Sequence, residues 1–162
     1  MKIAIVSDTH DNLANLKKAV YWIKKEGIKT IIHCGDISSQ DTLEELLKIF
    51  PGKIFISLGN ADDASLKTRG RTKAWNEFGK TKIDGVKIAF CHFPEAAKEL
   101  ATKGRYNLVF YGHSHKPWKE LIDSTRLVNP GNLAGIFYRA TFATYNTDND
   151  ELKLNILSEI SL

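Results

Sequence analysis

Two histidines separated by one residue, His113 and His115, follow the apolar run at residues 108–110 and precede Pro117. In an extended strand end, side chains at positions i and i+2 point to the same side, and Gly112 allows a turn or a close backbone approach. The spacing therefore predicts that two neutral imidazoles reach one place, which suits a transition-metal site. A pair of structural histidines at a strand end is the alternative, and the spacing alone does not decide between them.

Other apolar runs of the chain also end in polar residues that can bind metal ions. The runs at 2–7, 31–34, 54–58 and 86–91 lead into Asp8-Thr9-His10, Gly35-Asp36, Gly59-Asn60 and His92, respectively. Because ligands of open α/β sheets bind at the carboxyl ends of the strands, we expect these side chains to converge on one edge. The seven candidate ligands are Asp8, His10, Asp36, Asn60, His92, His113 and His115.

The chemistry of these donors favours two metal ions over one. Seven oxygen and nitrogen donors exceed what a single ion takes from a protein, and they fit two ions about 3.5 Å apart that share a carboxylate. The absence of a thiolate argues against a structural zinc site, and we interpret Cys34 and Cys91 as small buried side chains. Imidazole and carboxylate ligands suit manganese, our first expectation, and also nickel, zinc, iron or cobalt.

Two helices and three strands must position the first four donors. Apolar side chains three and four residues apart predict an amphipathic helix between Asp11 or Asn12 and Gly27, and a second between Ser39 and Pro51. Strands and helices alternate in this part of the chain, and the strands are almost continuously apolar. This pattern predicts a parallel sheet with helices on its faces.

The rest of the chain carries weaker signals. Residues 61–79 predict a loop, with or without a short helix, and residues 80–91 predict a hairpin that turns at Asp84-Gly85. Pro94 and Gly104 bound a third predicted helix. Runs at 118–122, 126–128, 136–145 and 151–160 predict a second, antiparallel sheet. We expect one domain spanning residues 1–162.

Composition narrows the partners that the chain can have. The net charge of +4, from 23 basic and 19 acidic residues, does not by itself favour nucleic acid, which stays the alternative to a small substrate. The densest basic stretch, residues 67–73, reads as a solvated loop, with phosphate steering as the alternative. No apolar run approaches the ~20 residues of a membrane span, and the acidic start does not resemble a signal peptide. We therefore expect a cytoplasmic protein without a membrane partner.

The ordered motifs resemble the calcineurin-like metallophosphoesterases, specifically their small bacterial and archaeal phosphodiesterases. The resemblance covers nearly the whole chain through Asp8-x-His10, Gly35-Asp36, Gly59-Asn60-x-Asp62, His92, Gly112-His113-Ser114-His115 and Asn129-Pro130-Gly131. It implies an α/β fold, a four-layer α/β/β/α sandwich with mixed sheets. It also implies hydrolysis of phosphodiester, or alternatively phosphomonoester, bonds by a hydroxide that bridges two divalent metal ions. Small phosphodiesters would be the substrates, and relatives often form dimers or larger assemblies such as tetramers.

The resemblance further implies a role for each candidate residue. The two ions would be held by Asp8, His10 and His115 at the first site and by Asn60, His92 and His113 at the second, with Asp36 bridging them. Asp36, Asn60 and His113 would also take part directly in catalysis. Asn12 would be an active-site neighbour without being a ligand, and Asp62 would orient a ligand or contact the substrate.

Two positions depart from the family pattern. Ala61 stands where larger members carry a histidine that is thought to protonate the leaving group or hold the phosphate. General acids are typically worth 10²–10⁴-fold, so we expect this chain to prefer diesters with good leaving groups over alkyl monoesters. Phe93-Pro94 follows His92 where the family often has glycine, which would narrow the pocket or simply start a helix.

Two other functions remain open from the sequence. A retromer subunit resembles this family in fold but acts as a protein-interaction scaffold, with or without bound metal. A scaffold loses histidines, whereas all seven candidate positions are filled here, which favours an enzyme. A nuclease would use the same chemistry, and the modest charge favours a small phosphodiester instead.

Overall fold

The computed structural model describes residues 1–161, which form two mixed β-sheets with helices on their outer faces. In chain order the elements are β1 (Lys2–Val6), α1 (Leu13–Lys25), β2 (Thr30–His33), α2 (Gln40–Ile49), β3 (Lys53–Ser57), β4 (Thr72–Trp75), β5 (Phe78–Ile83), β6 (Val86–Cys91), α3 (Pro94–Thr102), β7 (Leu108–Phe110), β8 (Trp118–Ile122), β9 (Thr125–Asn129), β10 (Thr141–Asn146) and β11 (Glu151–Ile156). The first sheet has the strand order β11-β10-β1-β2-β3-β4, and the second has the order β5-β6-β7-β9-β8.

The apolar strands are buried on both faces, which explains their continuous hydrophobicity. Along β1, Ala4 and Val6 pack with the helices α1 and α2, whereas Ile3 and Ile5 pack against the second sheet. β1, β2, β3 and β4 are parallel neighbours. Their carboxyl ends therefore lie at one edge of the sheet.

A third helix covers the outer face of the second sheet. Ala97, Leu100 and Ala101 of α3 pack against Val109 and Leu127, in a cluster separate from the one between the sheets. The order of layers is thus helices, sheet, sheet and helix. The predicted four-layer α/β/β/α sandwich is confirmed.

The helix boundaries follow the capping signals of the sequence. The Asn12 side chain accepts a hydrogen bond from the Asn15 N–H at 3.0 Å and caps α1, and Ser39 caps α2 through the Thr42 N–H. Pro94 occupies the first turn of α3, where its missing N–H costs no helical hydrogen bond. None of the helices within residues 1–161 combines the length and the apolar character needed to cross a membrane.

Three expectations about the strands are wrong. Residues 72–75 form β4, a short edge strand parallel to β3, where we expected a loop. The strands after residue 117 do not form a sheet of their own: β10 pairs antiparallel with β1, and β9 pairs parallel with β7. The strand expected at 136–145 begins only at Thr141. Periodicity reports which face of a strand is buried, but it does not report which strand lies beside it.

Candidate metal centre

Three of the candidate ligands lie together where β1 and β7 end. The Nε2 atoms of His10 and His115 are 3.1 Å apart. The Oδ1 atom of Asp8 lies 3.3 Å from His115 Nε2 and 3.8 Å from His10 Nε2. We call Asp8, His10 and His115 the first donor set.

Three others converge from β3, β6 and β7. The Oδ1 atom of Asn60 lies 3.0 Å from His92 Nε2 and 3.0 Å from His113 Nδ1. The two ring nitrogens are themselves 3.2 Å apart. We call Asn60, His92 and His113 the second donor set.

One carboxylate oxygen lies next to both donor sets. Asp36 Oδ2 is 3.6 Å from His10 Nε2 of the first set and 3.4 Å from His92 Nε2 of the second. The other oxygen, Oδ1, accepts a hydrogen bond of 2.8 Å from the Ala61 N–H. The Asp36 side chain is therefore fixed with one oxygen free to face two cations.

The donor atoms fit divalent cations in both spacing and chemistry. Ligand atoms about 2.0–2.2 Å from a common ion lie roughly 3–3.5 Å from one another, close to the separations within the two sets. Donor atoms of Asp8, His10 and His115, and likewise of Asp8, Asp36 and His92, all lie within 4.8 Å of one another. Asp8 and Asp36 are 0% and 2% exposed, and buried carboxylates need a positive partner.

The protein orients its donors through a second layer of hydrogen bonds. His92 Nδ1 donates to the Cys34 carbonyl at 2.8 Å, which leaves the Nε2 lone pair directed at the second set. The Asp62 carboxylate accepts from the N–H groups of Asp36, Ser38 and Gly59 at 2.9, 2.8 and 2.7 Å. Through these hydrogen bonds, the Asp62 side chain holds together the two loops that carry Asp36 and Asn60. Asn12 contacts the Ala134 carbonyl at 3.0 Å and has no hydrogen bond to a donor among the described residues.

The two histidines of the Gly112–His115 segment do not point to one side, so the extended geometry that we expected is wrong. β7 ends at Phe110, and His113 and His115 have φ angles of +68° and +58°. The Ser114 N–H donates to the Gly112 carbonyl at 2.8 Å and closes a γ-turn around His113. This left-handed backbone sends one ring to each donor set.

Positive φ angles are common among the other donors as well. Asp8, His10 and Asp36 have φ angles of +52°, +44° and +57°. Such conformations cost on the order of 1–3 kcal/mol each and persist where the surrounding structure imposes them. Here the His10 N–H donates to the Asp36 carbonyl at 3.0 Å, which locks the ends of β1 and β2 together.

Two glycines are required by the close packing around the carboxylates. A Cβ atom at Gly59 would lie 2.2 Å from Asp36 Oδ1, and one at Gly112 would lie 2.0 Å from Ser7 Oγ and 2.7 Å from Asp8 Oδ2. Any side chain at these positions would displace a carboxylate. The glycine that precedes Asn60 and the one that precedes His113 therefore have a steric explanation.

The charges of the site favour a bound cation. Burial alone would raise the pKa of Asp36, but hydrogen bonds from His92 and the Ala61 N–H hold that pKa below its usual value. Burial would lower the pKa of His92, and the adjacent Asp36 raises it instead. The hydrogen bond with Asp8 raises the pKa of His115. The Asp36 carboxylate therefore stays ionised, and cation binding should release protons from these imidazoles.

The fifth histidine, His33, has a different environment from the donors. Its Nδ1 accepts a hydrogen bond from the Gly35 N–H at 3.2 Å, so Nε2 carries the proton and donates to Thr9 Oγ1 at 2.9 Å. Burial lowers the pKa of His33 to about 4. His33 is a neutral structural side chain, in agreement with its omission from the candidate ligands.

Two asparagines, one at the end of β9 and one in the segment that follows it, support the site. Asn129 Nδ2 donates to the Gly112 carbonyl and to Ser114 Oγ at 2.9 and 3.0 Å. Asn132, which is fully buried, donates to the His115 carbonyl at 3.1 Å and accepts from the Ile136 N–H at 2.9 Å. The sequence pointed to the Asn129-Pro130-Gly131 motif but not to Asn132, for which no residue pattern gave a signal.

Comparison with known proteins establishes the family. The calcineurin-like phosphoesterase superfamily domain matches residues 1–150 of the chain. The chain belongs to this family. The phosphoesterase is 36% identical over 143 residues to a phosphodiesterase of Methanocaldococcus jannaschii, and the match covers 83% of the chain and 86% of the relative. It is therefore a hydrolase of a family that uses divalent metal ions.

Solved structures agree with the fold of the phosphoesterase. The structure of an archaeal phosphodiesterase superposes with a TM-score of 0.88 at 31% identity, over 96% of this chain and 99% of the other. Vps29 of Chaetomium thermophilum superposes with a TM-score of 0.72 at 17% identity, over 96% and 95% of the two chains. The likeness to Vps29 shows a shared fold alone.

Proposed function

We propose that this phosphoesterase hydrolyses phosphodiester bonds with two divalent transition-metal ions, manganese being the first candidate. The observation that carries the proposal is the position of Asp36 Oδ2 between two donor sets of three residues each. The family and the name of the Methanocaldococcus jannaschii relative support the reaction.

In this proposal each of the seven donors is assigned to one of the two ions or to both. The first ion would be held by Asp8, His10 and His115, the second by Asn60, His92 and His113, and both by Asp36. When bound, the two ions offset the charge of the phosphoryl oxygens and lower the pKa of a water molecule from 15.7 toward ~7, which provides hydroxide at neutral pH. Asn60 and His113 are exposed, so the substrate reaches the centre from their side. Asp62 and the Ala61 N–H keep Asp36 in place.

The site offers no side chain at position 61 to protonate a leaving group. Ala61 contributes only its N–H, which is used by Asp36. We therefore propose that the enzyme prefers diesters with good leaving groups to alkyl monoesters. An enzyme that turned over alkyl phosphomonoesters faster than aryl phosphodiesters would contradict this preference.

The scaffold and nuclease functions have weaker support. The same-fold scaffold is favoured only by the likeness to Vps29, which does not extend to function. Arg69 and Arg71 precede β4, at the edge of the first sheet opposite the donor sets, whereas the Lys67 backbone hydrogen-bonds to Gln40 at the start of α2. Because the two arginines lie away from the donors, they do not support phosphate steering or a nucleic-acid path to the centre. A single domain, a cytoplasmic location and assembly into dimers or tetramers stay predictions.

One experiment tests the proposed function directly. Purified protein is analysed for bound metal and assayed with bis(p-nitrophenyl) phosphate, p-nitrophenyl phosphate and an alkyl phosphate, with each candidate metal. We expect about two ions per chain and metal-dependent hydrolysis of the diester. Tyr21→Ala, an exposed change on α1, is the control variant and should behave as the wild type. Protein that holds only trace metal and gains no thermal stability from Mn²⁺ would favour the scaffold.

A further inference from the structure

Two exposed aromatic rings lie against the histidines of the two donor sets. The Phe93 ring is 5.0 Å from the His92 ring and 5.1 Å from the His113 ring between centroids, and Phe93 is 41% exposed. The Phe137 ring is 5.9 Å from the His115 ring, and Phe137 is 90% exposed. Each donor set therefore has one solvent-accessible phenyl ring beside it.

Folding stability does not account for Phe137. A phenylalanine that is 90% exposed buries almost no apolar area. Its φ of +64° is disfavoured for a bulky side chain. The Tyr138 N–H donates to the Ile136 carbonyl at 2.8 Å, so Phe137 occupies the centre of a strained γ-turn. A polar residue or glycine would be expected there on stability alone.

The turn that carries Phe137 is anchored to the metal centre. Asn132 accepts from the Ile136 N–H at 2.9 Å and donates to the His115 carbonyl at 3.1 Å. The backbone beside Phe137 is thus linked through one fully buried side chain to the backbone of a donor. Phe93 is fixed in a similar way, because it directly follows His92 and precedes Pro94 at the start of α3. Both rings are held at the centre instead of moving freely on a long loop.

From this placement we propose that Phe93 and Phe137 stack against the nucleobase of the substrate, which makes nucleoside phosphodiesters the preferred substrate class. The inference rests on the proposed function and names the substrate of the same site. Bases stack on aromatic side chains with little dependence on sequence, since every base has a π-face. The phosphoryl group would lie at the donors and a base would lie over one of the rings.

The test separates base recognition from phosphate recognition. AMP and ribose 5-phosphate carry the same phosphate, and only AMP carries a base. Their inhibition constants are measured against hydrolysis of bis(p-nitrophenyl) phosphate by the metal-loaded enzyme. We expect AMP to inhibit roughly 5- to 100-fold more strongly than ribose 5-phosphate.

Variants of the two phenylalanines test whether their rings cause the stronger inhibition by AMP. Phe137→Ala and Phe93→Ala should weaken inhibition by AMP and leave inhibition by ribose 5-phosphate unchanged. Phe137→Tyr should retain the preference, whereas Phe137→Leu, which keeps apolar bulk without a π-face, should lose most of it. Tyr21→Ala removes an aromatic side chain on α1 whose exposure of 59% lies between those of Phe93 and Phe137, and it should change neither constant.

The outcomes distinguish this inference from the proposed function. Equal inhibition by the two phosphates, or alanine variants that weaken both equally, overturns base stacking while hydrolysis still supports the phosphodiesterase. If no metal supports hydrolysis, the proposed function fails, and calorimetric binding of AMP and ribose 5-phosphate to the metal-loaded protein then decides the inference. A preference for AMP that Phe137→Ala abolishes would support it, and the absence of a preference would refute it.

Discussion

The two donor sets differ in charge although they contain the same number of side chains. The first set has one carboxylate, Asp8, and two imidazoles, whereas the second has the neutral amide Asn60 in place of the carboxylate. Because Asp36 faces both, a cation in the first set meets two carboxylates and a cation in the second meets one. The first set should therefore bind a divalent cation more tightly.

The sets also differ in their access to solvent. Asp8 is fully buried, while Asn60 and His113 are exposed. Electrostatic attraction is stronger in the buried, low-dielectric environment, which adds to the charge difference. With both ions bound as proposed, we therefore expect the first set to hold its ion permanently and the second to exchange its ion beside the substrate.

The largest expected effect comes from the residue that the two sets share. Asp36→Asn removes the negative charge next to both, so both ions should be lost and activity should fall by roughly 10³-fold or more, beyond the 10²–10³-fold typical of one stabilising group. Metal content and hydrolysis of an aryl diester measure the change. Asp63→Asn, on the exposed loop after β3, is the matched control. Retention of one tightly bound ion by Asp36→Asn would show that the carboxylate serves a single set.

The next effect tests whether the sets are separate. His113→Ala should empty the second set and leave about one ion per chain, and His115→Ala should empty the first. Since we expect the second set to be the exchangeable one, the ion that stays in His113→Ala should resist chelators longer. Metal analysis after timed dialysis against a chelator distinguishes the variants. Loss of both ions to the same extent in His113→Ala would mean that the division into two sets is wrong.

A smaller effect is expected from exchanging the charge between the sets. Asp8→Asn should weaken the first site, and Asn60→Asp should strengthen the second, each by roughly 10- to 100-fold, on the order of 1–3 kcal/mol for a partly screened charge. Calorimetric titration with Mn²⁺ measures the two affinities. In Asp8→Asn the two affinities should become more similar, so that the two binding steps merge toward one. If the two affinities stayed as far apart in both variants, charge would not be the origin of the difference.

The sequence predicted that the seven candidate side chains converge, because their positions follow from general rules. Parallel strands bring their carboxyl ends to one edge, so polar residues after β1, β2 and β3 had to meet. The roles of Asp8, His10 and the other donors came from the family resemblance. Apolar periodicity likewise located α1 and α2 and their capping residues.

The sequence could not predict the conformations that aim the donors. The φ of +68° at His113 depends on the hydrogen bonds of the Gly112–His115 segment and on packing around Gly112, which are set by distant strands. The partner of β10 is likewise a long-range choice. Asn132 and Phe137 acquire significance only through the turn that joins them to His115.

His33, which lies behind the first set, should affect folding stability and not metal binding, and it provides the reference for a histidine outside both donor sets. Burial lowers the pKa of His33 in the folded protein from 6.5 to about 4. Between these two pH values the unfolded chain therefore carries a proton on this imidazole that the folded protein does not bind. Folding stability should therefore fall as the pH drops through this window, by up to about 3 kcal/mol at 1.36 kcal/mol per pKa unit.

His33→Asn keeps an acceptor for the Gly35 N–H but has no group that titrates, so its stability should depend less steeply on pH. Urea denaturation of metal-free protein between pH 4 and 7 measures the slopes. His92 and His115 work in the opposite direction, since their carboxylate neighbours raise their pKa and favour the protonated, folded form at low pH. Parallel slopes for wild type and His33→Asn would show that His33 has the same pKa in the folded and unfolded chain, and that burial does not lower it.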